Sequence, residues 1–200
     1  DTLCAGESLY VKFNTGGIHS SFSVTIGGQT ENGLETSPDS MLLTPAFTQI
    51  YAMQTIADDS GCVADISNFT EQVNALVYEV PVANAGDNDE VCNDTYTLQA
   101  MKNISESVCF WTSTGATFDN PAIPGAIATA NQYGTIQFTW TERNWRCQDN
   151  DEITIIFNEN PDAAEAGADQ ILDFSYTTQL EAAIPRVGSG KWTVVSGAGD

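Results

Sequence analysis

The sequence predicts an all-β chain of tandem β-sandwich modules in a rod-like array, and three observations carry that expectation. The chain repeats itself: Ala85-Gly86 … Trp111-Thr112 recurs as Ala166-Gly167 … Trp192-Thr193, and both anchors give one offset, 167 − 86 = 81 and 192 − 111 = 81. A fixed period of this kind marks a repeat architecture. Apolar and polar residues alternate at period two in short runs broken by turn residues, the pattern of half-buried strands. No window of about a dozen residues carries a helical stripe with a capping signal. The period divides the chain into a module at 1–80, a module at 81–160 and the start of a third, incomplete repeat at 161–200.

In the first module, Leu9, Val11 and Phe13 alternate with Ser8, Tyr10 and Lys12, which predicts a strand over 8–14. Phe22, Val24 and Ile26 predict a second, ended by the turn Gly27-Gly28. Further strands are expected over 41–43, 49–56 and 73–80, separated by Pro38, Pro45 and the polar run Asp58-Asp59-Ser60-Gly61. The second module shows the same order with larger residues. Tyr96, Leu98 and Ala100 alternate; strands over 108–113 and 127–129 flank the turn at 121–125. Ile136, Phe138 and Trp140 then face one way, against Thr135, Gln137, Thr139 and Thr141, and Ile153, Ile155 and Phe157 close the module. About seven short strands per module and a Cys…Trp…Cys order are what an immunoglobulin-like sandwich requires. Trp111, Trp140 and Trp192 are assigned to cores. The joints at 80–86 and 159–167 are short and rich in Pro and small residues, which predicts a semi-rigid connection.

Six Lys plus Arg against 27 Asp plus Glu give a net charge of −21, which argues against nucleic acid and an anionic membrane surface as partners. Cations and basic or neutral polymers suit such a surface, and the charge also serves plain solubility. No apolar run approaches the roughly 18 residues of a membrane span, and no signal segment opens the numbered chain.

Cys4 and Cys62 fall in the first module, and Cys92, Cys109 and Cys147 in the second. Pairing within modules, Cys4 with Cys62 and Cys92 with Cys147, would tie each module's ends together and imply an oxidising exterior. Each bridge would close a loop worth about 4 kcal/mol on the chain-entropy estimate. Cys109 reads as a small buried thiol, although it could replace either partner in the second module.

Catalysis has little to work with. His19 is the only histidine, in the loop at 16–21, and no Ser or Cys stands in a recognisable nucleophile motif. The acidic tetrads Asp87-Asn88-Asp89-Glu90 and Asp149-Asn150-Asp151-Glu152 lie beside Cys92 and Cys147. Closing that bridge would bring Asp87, Asp89, Asp149 and Asp151 together as hard oxygen ligands for calcium; the alternative is solvated turn acids. Trp145, flanked by Arg143 and Arg146, is a candidate anchor for a sugar face or a protein partner, set against a Trp that covers the open end of a sandwich.

Ala83-Asn84-Ala85-Gly86 followed by Cys92, then Trp111-Thr112, Phe118-Asp119-Asn120-Pro121, Tyr133-Gly134-Thr135, Phe138-Thr139-Trp140-Thr141-Glu142, Cys147 and Asp151-Glu152 resemble the immunoglobulin-like or PKD-like repeats of large Bacteroidota surface proteins. Gly190-Lys191-Trp192-Thr193-Val194-Val195-Ser196-Gly197 is similar to the same pattern, and Cys4-Ala5-Gly6-Glu7-Ser8 with Asp59-Ser60-Gly61-Cys62 resembles a sister type. The resemblance implies a type IX secretion substrate at the cell surface, of the gliding-motility adhesin kind, with neighbouring repeats, surface proteins or glycans as partners. It also implies O-glycosylation at Thr2 and Ser40, within Asp1-Thr2-Leu3 and Asp39-Ser40-Met41. One position departs: 92 + 81 = 173 is Asp173, not cysteine. The expected function is therefore a non-enzymatic structural or adhesive region of an extracellular adhesin. The rival readings are a carbohydrate- or protein-binding module acting through Trp145, and the accessory domains of a secreted polysaccharide-degrading enzyme.

Overall fold

Strand follows strand throughout the computed structural model of the chain, which describes residues 1–14, 21–35 and 39–197; no helix occurs among them. His19 and Pro38 lie outside the described residues. The first seven strands are β1 (Thr2–Cys4), β2 (Leu9–Phe13), β3 (Phe22–Ile26), β4 (Gln29–Leu34), β5 (Asp39–Leu43), β6 (Gln49–Asp58) and β7 (Gln72–Tyr78). They pair as one sheet in the order β1-β7-β6-β3-β4 and a second, β2-β5. Alternation does the work: in β2 and β3 every second residue is buried, and these meet Leu34, Met41, Leu43, Tyr51 and Ala75 in one core. Gly27 and Gly28 turn β3 into β4 with positive φ at both positions, a conformation that glycine adopts without steric cost.

The next seven are β8 (Asp89–Val91), β9 (Thr95–Thr97), β10 (Val108–Thr112), β11 (Ala116–Phe118), β12 (Ile127–Ala130), β13 (Gly134–Asn144) and β14 (Cys147–Phe157). Their sheets are β8-β14-β13-β10 and β11-β12-β9. Strand for strand this is the order of the first module, with one exchange: β4 pairs with β3, whereas its counterpart β11 pairs with β12 in the opposite sheet. Trp111 and Trp140 are cross-strand partners with ring centroids 5.1 Å apart, and Phe138 packs between Phe118 and Phe157. The buried residues of the two modules form separate clusters. No helix of the described chain is long and apolar enough to cross a membrane.

Residues 161–197 carry no strand. Trp192, expected in a core, is 51% exposed. Its counterpart Trp111 is covered by Trp140. The repeat is nonetheless present locally. Gly86 has φ +91°, and a Cβ there would stand 3.1 Å from the Gln99 carbonyl oxygen; Gly167 has φ +82° and meets the Glu181 carbonyl in the same way. Met101 N donates to Asn84 O at 2.8 Å, and Ala183 N to Glu165 O at 2.9 Å.

Candidate functional site

The side chains that single this chain out gather where the β13–β14 hairpin of the second module meets the end of β7 in the first. Two residues, Trp145 and Arg146, make the turn between the paired Asn144 and Cys147. Trp145 has φ +59°, the one non-glycine residue with positive φ among the described residues. A bulky side chain in left-handed backbone costs about 1–2 kcal/mol, so its surroundings must hold it there. Its ring stacks on Tyr78, centroids 5.8 Å apart and planes 12° from parallel. Asn144 Nδ2 donates to the Glu79 carbonyl at 2.9 Å. Arg146 reaches both carboxylate oxygens of Glu7, at 3.0 and 2.9 Å, and the Thr2 carbonyl at 3.2 Å. Glu7 also accepts the Cys4 amide at 2.8 Å; that bond first, and the Arg146 guanidinium after it, hold the Glu7 carboxyl below its ordinary range. The last element is covalent: Cys4 and Cys147 form a disulfide, with Cα atoms 5.6 Å apart and a sequence separation of 143.

That bond corrects the expected pairing within modules. Cys62 and Cys92 are free and exposed. Cys4 pairs with Tyr78, three residues beyond the Ala75 that faces Gln49, whereas Cys62 bonds Asp58 at the far end of β6. From Gln49 to Asp58 (58 − 49 = 9 residues) is about 30 Å of strand, out of reach for a disulfide. Cys92 follows Val91, which faces Phe157; from there back to Cys147 (157 − 147 = 10 residues) is about 33 Å. The bridge joins the two modules instead of closing either one. Cys109 is buried and free, its sulfur 3.5 Å from Ser107 Oγ.

The linker is held along the same edge. Ala83 N donates to Asp149 Oδ2 and Ala85 N to Asp151 Oδ2, both at 2.9 Å, and Thr154 N donates to Asn88 Oδ1 at 2.7 Å. The spacing is constant: 149 − 83, 151 − 85, 154 − 88 and the β8–β14 pair 155 − 89 all equal 66. The linker therefore runs beside β14 in the register of a parallel strand before β8 begins, with side-chain oxygens bonding it where backbone carbonyls otherwise would. Pro81 is fully buried, and Val82 N donates to Asn103 Oδ1 at 3.1 Å.

Asp149 and Asp151 each accept a linker amide through one carboxylate oxygen, while Asp87 and Asp89, expected with them as calcium ligands, lie on the linker and at the start of β8. Among the described residues no three His, Cys, Asp or Glu side chains are grouped to hold a metal. The expectation rested on a Cys92–Cys147 bridge that does not form. Asp87 and Asp89 line a polar hollow with Asn84, Gln99 and Tyr96; the Tyr96 hydroxyl donates to Asp89 Oδ2 at 2.9 Å. Burial, then the Asp89 contact, raises the Tyr96 pKa.

Of the proposed ligand anchors, Trp145 and Arg146 face the first module, while Arg143 stays exposed on β13 opposite Val108 and Gln148. Thr2 and Ser40, the glycosylation candidates, are half-buried within β1 and β5.

No protein-family model matches the chain, and no curated protein matches it. Solved structures do. The PKD domain from the KIAA 1837 protein is 28% identical over 38% of this chain and 85% of its own, with a TM-score of 0.33. Fibronectin(III)-like modules of Clostridium thermocellum CbhA are 11% identical over 80% of this chain and 90% of theirs, with a TM-score of 0.39. An I-band fragment of titin is 13% identical over 80% of this chain and 63% of its own, with a TM-score of 0.42. The fold class itself stands on the strand order described above.

One residue of the junction, quoted above within the run from Phe138 to Glu142, had been given no role of its own from sequence. Glu142 is fully buried and accepts Asn103 N at 2.9 Å, Ile104 N at 2.7 Å and the Ser107 hydroxyl. Burial alone would raise its pKa; the bonds from Ser107, Asn103 and Ile104, with the Lys102 charge, outweigh that and lower it. Glu142 fixes Asn103, whose side chain accepts Val82 N of the linker. The signal was present in the alternation, since 136, 138 and 140 point inward and 142 continues the series.

Proposed function

We propose that the chain is a structural spacer of an extracellular adhesin, in which successive sandwiches are locked to one another instead of swinging on a free tether. The carrying observation is the joint: a disulfide, an ion pair, an aromatic stack and a bonded linker all cross between two modules whose cores are separate. The disulfide supports an oxidising exterior. The repeat residues around Trp111, Phe138-Thr139-Trp140-Thr141-Glu142 and Cys147 support the finer reading of a Bacteroidota surface adhesin exported by type IX secretion and serving attachment or gliding.

Small-angle scattering tests the spacer. The oxidised chain is expected to fit one relative orientation of the two modules, and the Cys4→Ala/Cys147→Ala variant a broader set. An oxidised chain that needs many orientations overturns the reading. Surface placement is tested by protease treatment of intact cells, which should remove the protein; full protection would refute a surface adhesin.

A further inference from the structure

Two cysteines remain exposed and free, and their places in the fold match those of the bonded pair. Cys4 ends β1 after Leu3, which faces Val77; Cys92 comes directly after β8, whose last residue, Val91, faces Phe157. Leu3 and Val91 both turn toward their cores. The residues that leave the last strands correspond as well, Tyr78-Glu79-Val80-Pro81 with Asn158-Glu159-Asn160-Pro161. Cys92 thus stands at the far end of the second module as Cys4 stands at the far end of the first. At the other end, Cys147 is the first residue to return from the β13–β14 hairpin, paired with Asn144. Cys62 is the first residue to return from the turn after β6: its carbonyl accepts Asp58 N at 3.0 Å, its amide donates to Asp58 Oδ1 at 2.8 Å, and Val63 pairs with Ala57. Each module therefore carries one cysteine on its hairpin and one beside its exit. In the one module-to-module contact on view, exit and hairpin cysteines are bonded.

We propose that Cys62 and Cys92 are the open halves of the same intermodular bond: Cys92 takes the hairpin cysteine of a sandwich docked beyond the second module, and Cys62 takes the exit cysteine of one docked before the first. This deepens the spacer reading and rests on it. The partner chemistry is a thiol presented as Cys147 or Cys4 presents its own. A low-molecular-weight disulfide or a dithiol–disulfide oxidoreductase serves as oxidant. One thiolate attacks the oxidant's disulfide and releases one thiol; the second thiolate attacks the resulting mixed disulfide and releases the other. Two electrons and two protons pass from the pair of cysteines to the oxidant. Cys109, buried within its sheet, takes no part.

The test completes the third repeat. Asp200 stands at the position of Asp119 (119 + 81 = 200), so the full chain is extended after Asp200 by a copy of residues 120–160, oxidised with glutathione disulfide and digested without reduction. The expected map holds two cross-linked peptides, Cys4 with Cys147 and Cys92 with the appended copy of Cys147. Cys92 left open to alkylation beside an intact Cys4–Cys147 bond overturns the proposal and leaves the spacer reading standing; loss of both bonds overturns both. A second measurement does not depend on the extension folding. Cys62→Ser and Cys92→Ser versions of the 200-residue chain are oxidised each alone and, from reduced stocks, as an equimolar mixture. Mixed dimers through Cys92 and Cys62, at least fivefold above like-with-like dimers, support the pairing; like dimers at the statistical share, or no dimers, overturn it.

Discussion

Reduction of the Cys4–Cys147 bond should do more than lower one melting temperature. With the bond intact and the second module folded, unfolding the first leaves a closed loop from Cys4 to Pro81, 81 − 4 = 77 residues, which the chain-entropy estimate makes worth about 4.5 kcal/mol. Unfolding the second while the first stays folded leaves a loop from Tyr78 to Cys147, 147 − 78 = 69 residues, worth about 4.4 kcal/mol. Unfolding both leaves the full separation of 143, worth about 5 kcal/mol, not the sum. The bond therefore disfavours the two half-unfolded states by about 4 kcal/mol relative to additivity. Oxidised protein should melt in one merged transition and reduced protein in two. For a module of about 80 residues, the lost stabilisation corresponds to a fall of up to about 25 °C in the first midpoint, and half of that is a fair floor. Calorimetry resolves the transitions. Tryptophan emission assigns them, because Trp111 and Trp140 lie in the core of the second module and residues 1–80 contain no tryptophan. Equal midpoints with and without reductant, or a shift confined to one module, would refute the reasoning.

Other substitutions separate the parts of the joint. Asp151→Ala strands the Ala85 amide in a fully buried residue and should cost about 1–3 kcal/mol by denaturant unfolding, whereas Asp151→Asn, which keeps an acceptor, should cost less than about 1. Glu142→Ala orphans three donors and should cost about 3 kcal/mol or more. Because the folded pKa of Glu142 is depressed below the ordinary carboxylate range, its contribution is complete above that range and is lost as pH falls through the folded pKa, so the gap between wild type and Glu142→Gln should narrow in acid melts. Trp111→Phe loses a hydrogen bond to the Pro124 carbonyl, while Trp140 Nε1 has no partner among the described residues; at similar lost volume, Trp111→Phe should be costlier than Trp140→Phe by about 1 kcal/mol in chemical denaturation.

Where burial alternates, the strands could be read directly: β2, β3 and β13 sit within a few residues of their expected places. Three of the four three-residue strands, β1, β8 and β11, carry no period of their own and exist because a longer neighbour offers an edge. β14 begins at Cys147, not near Ile153, since a two-residue turn forces Gln148 to Glu152 to pair with β13 despite their polarity. The cysteine error has a similar root. Sequence showed that the two modules carry equivalent cysteines, but equivalence is silent on whether a bond stays inside a module or crosses to the next. Only strand register, which sets Cys4 and Cys62 at opposite ends, decides that. The acidic tetrads looked like ligands because a stretched linker in need of acceptors cannot be recognised until its 66-residue offset is seen.

The joint also changes how the molecule meets tension. A pull applied at residue 1 and at residue 160 travels along covalent bonds, and the shortest such path leaves the backbone at Cys4 and re-enters it at Cys147. Residues 5 to 146, nearly the whole of both sandwiches, hang outside that path. While the sulfur bridge holds, stretching the ends cannot pay out the 143-residue length between the cysteines, a reserve of about 480 Å of extended chain. Strand pairing then need not resist the load, and the redox state of one bond decides whether the protein behaves as a short inextensible link or as a long, yielding tether.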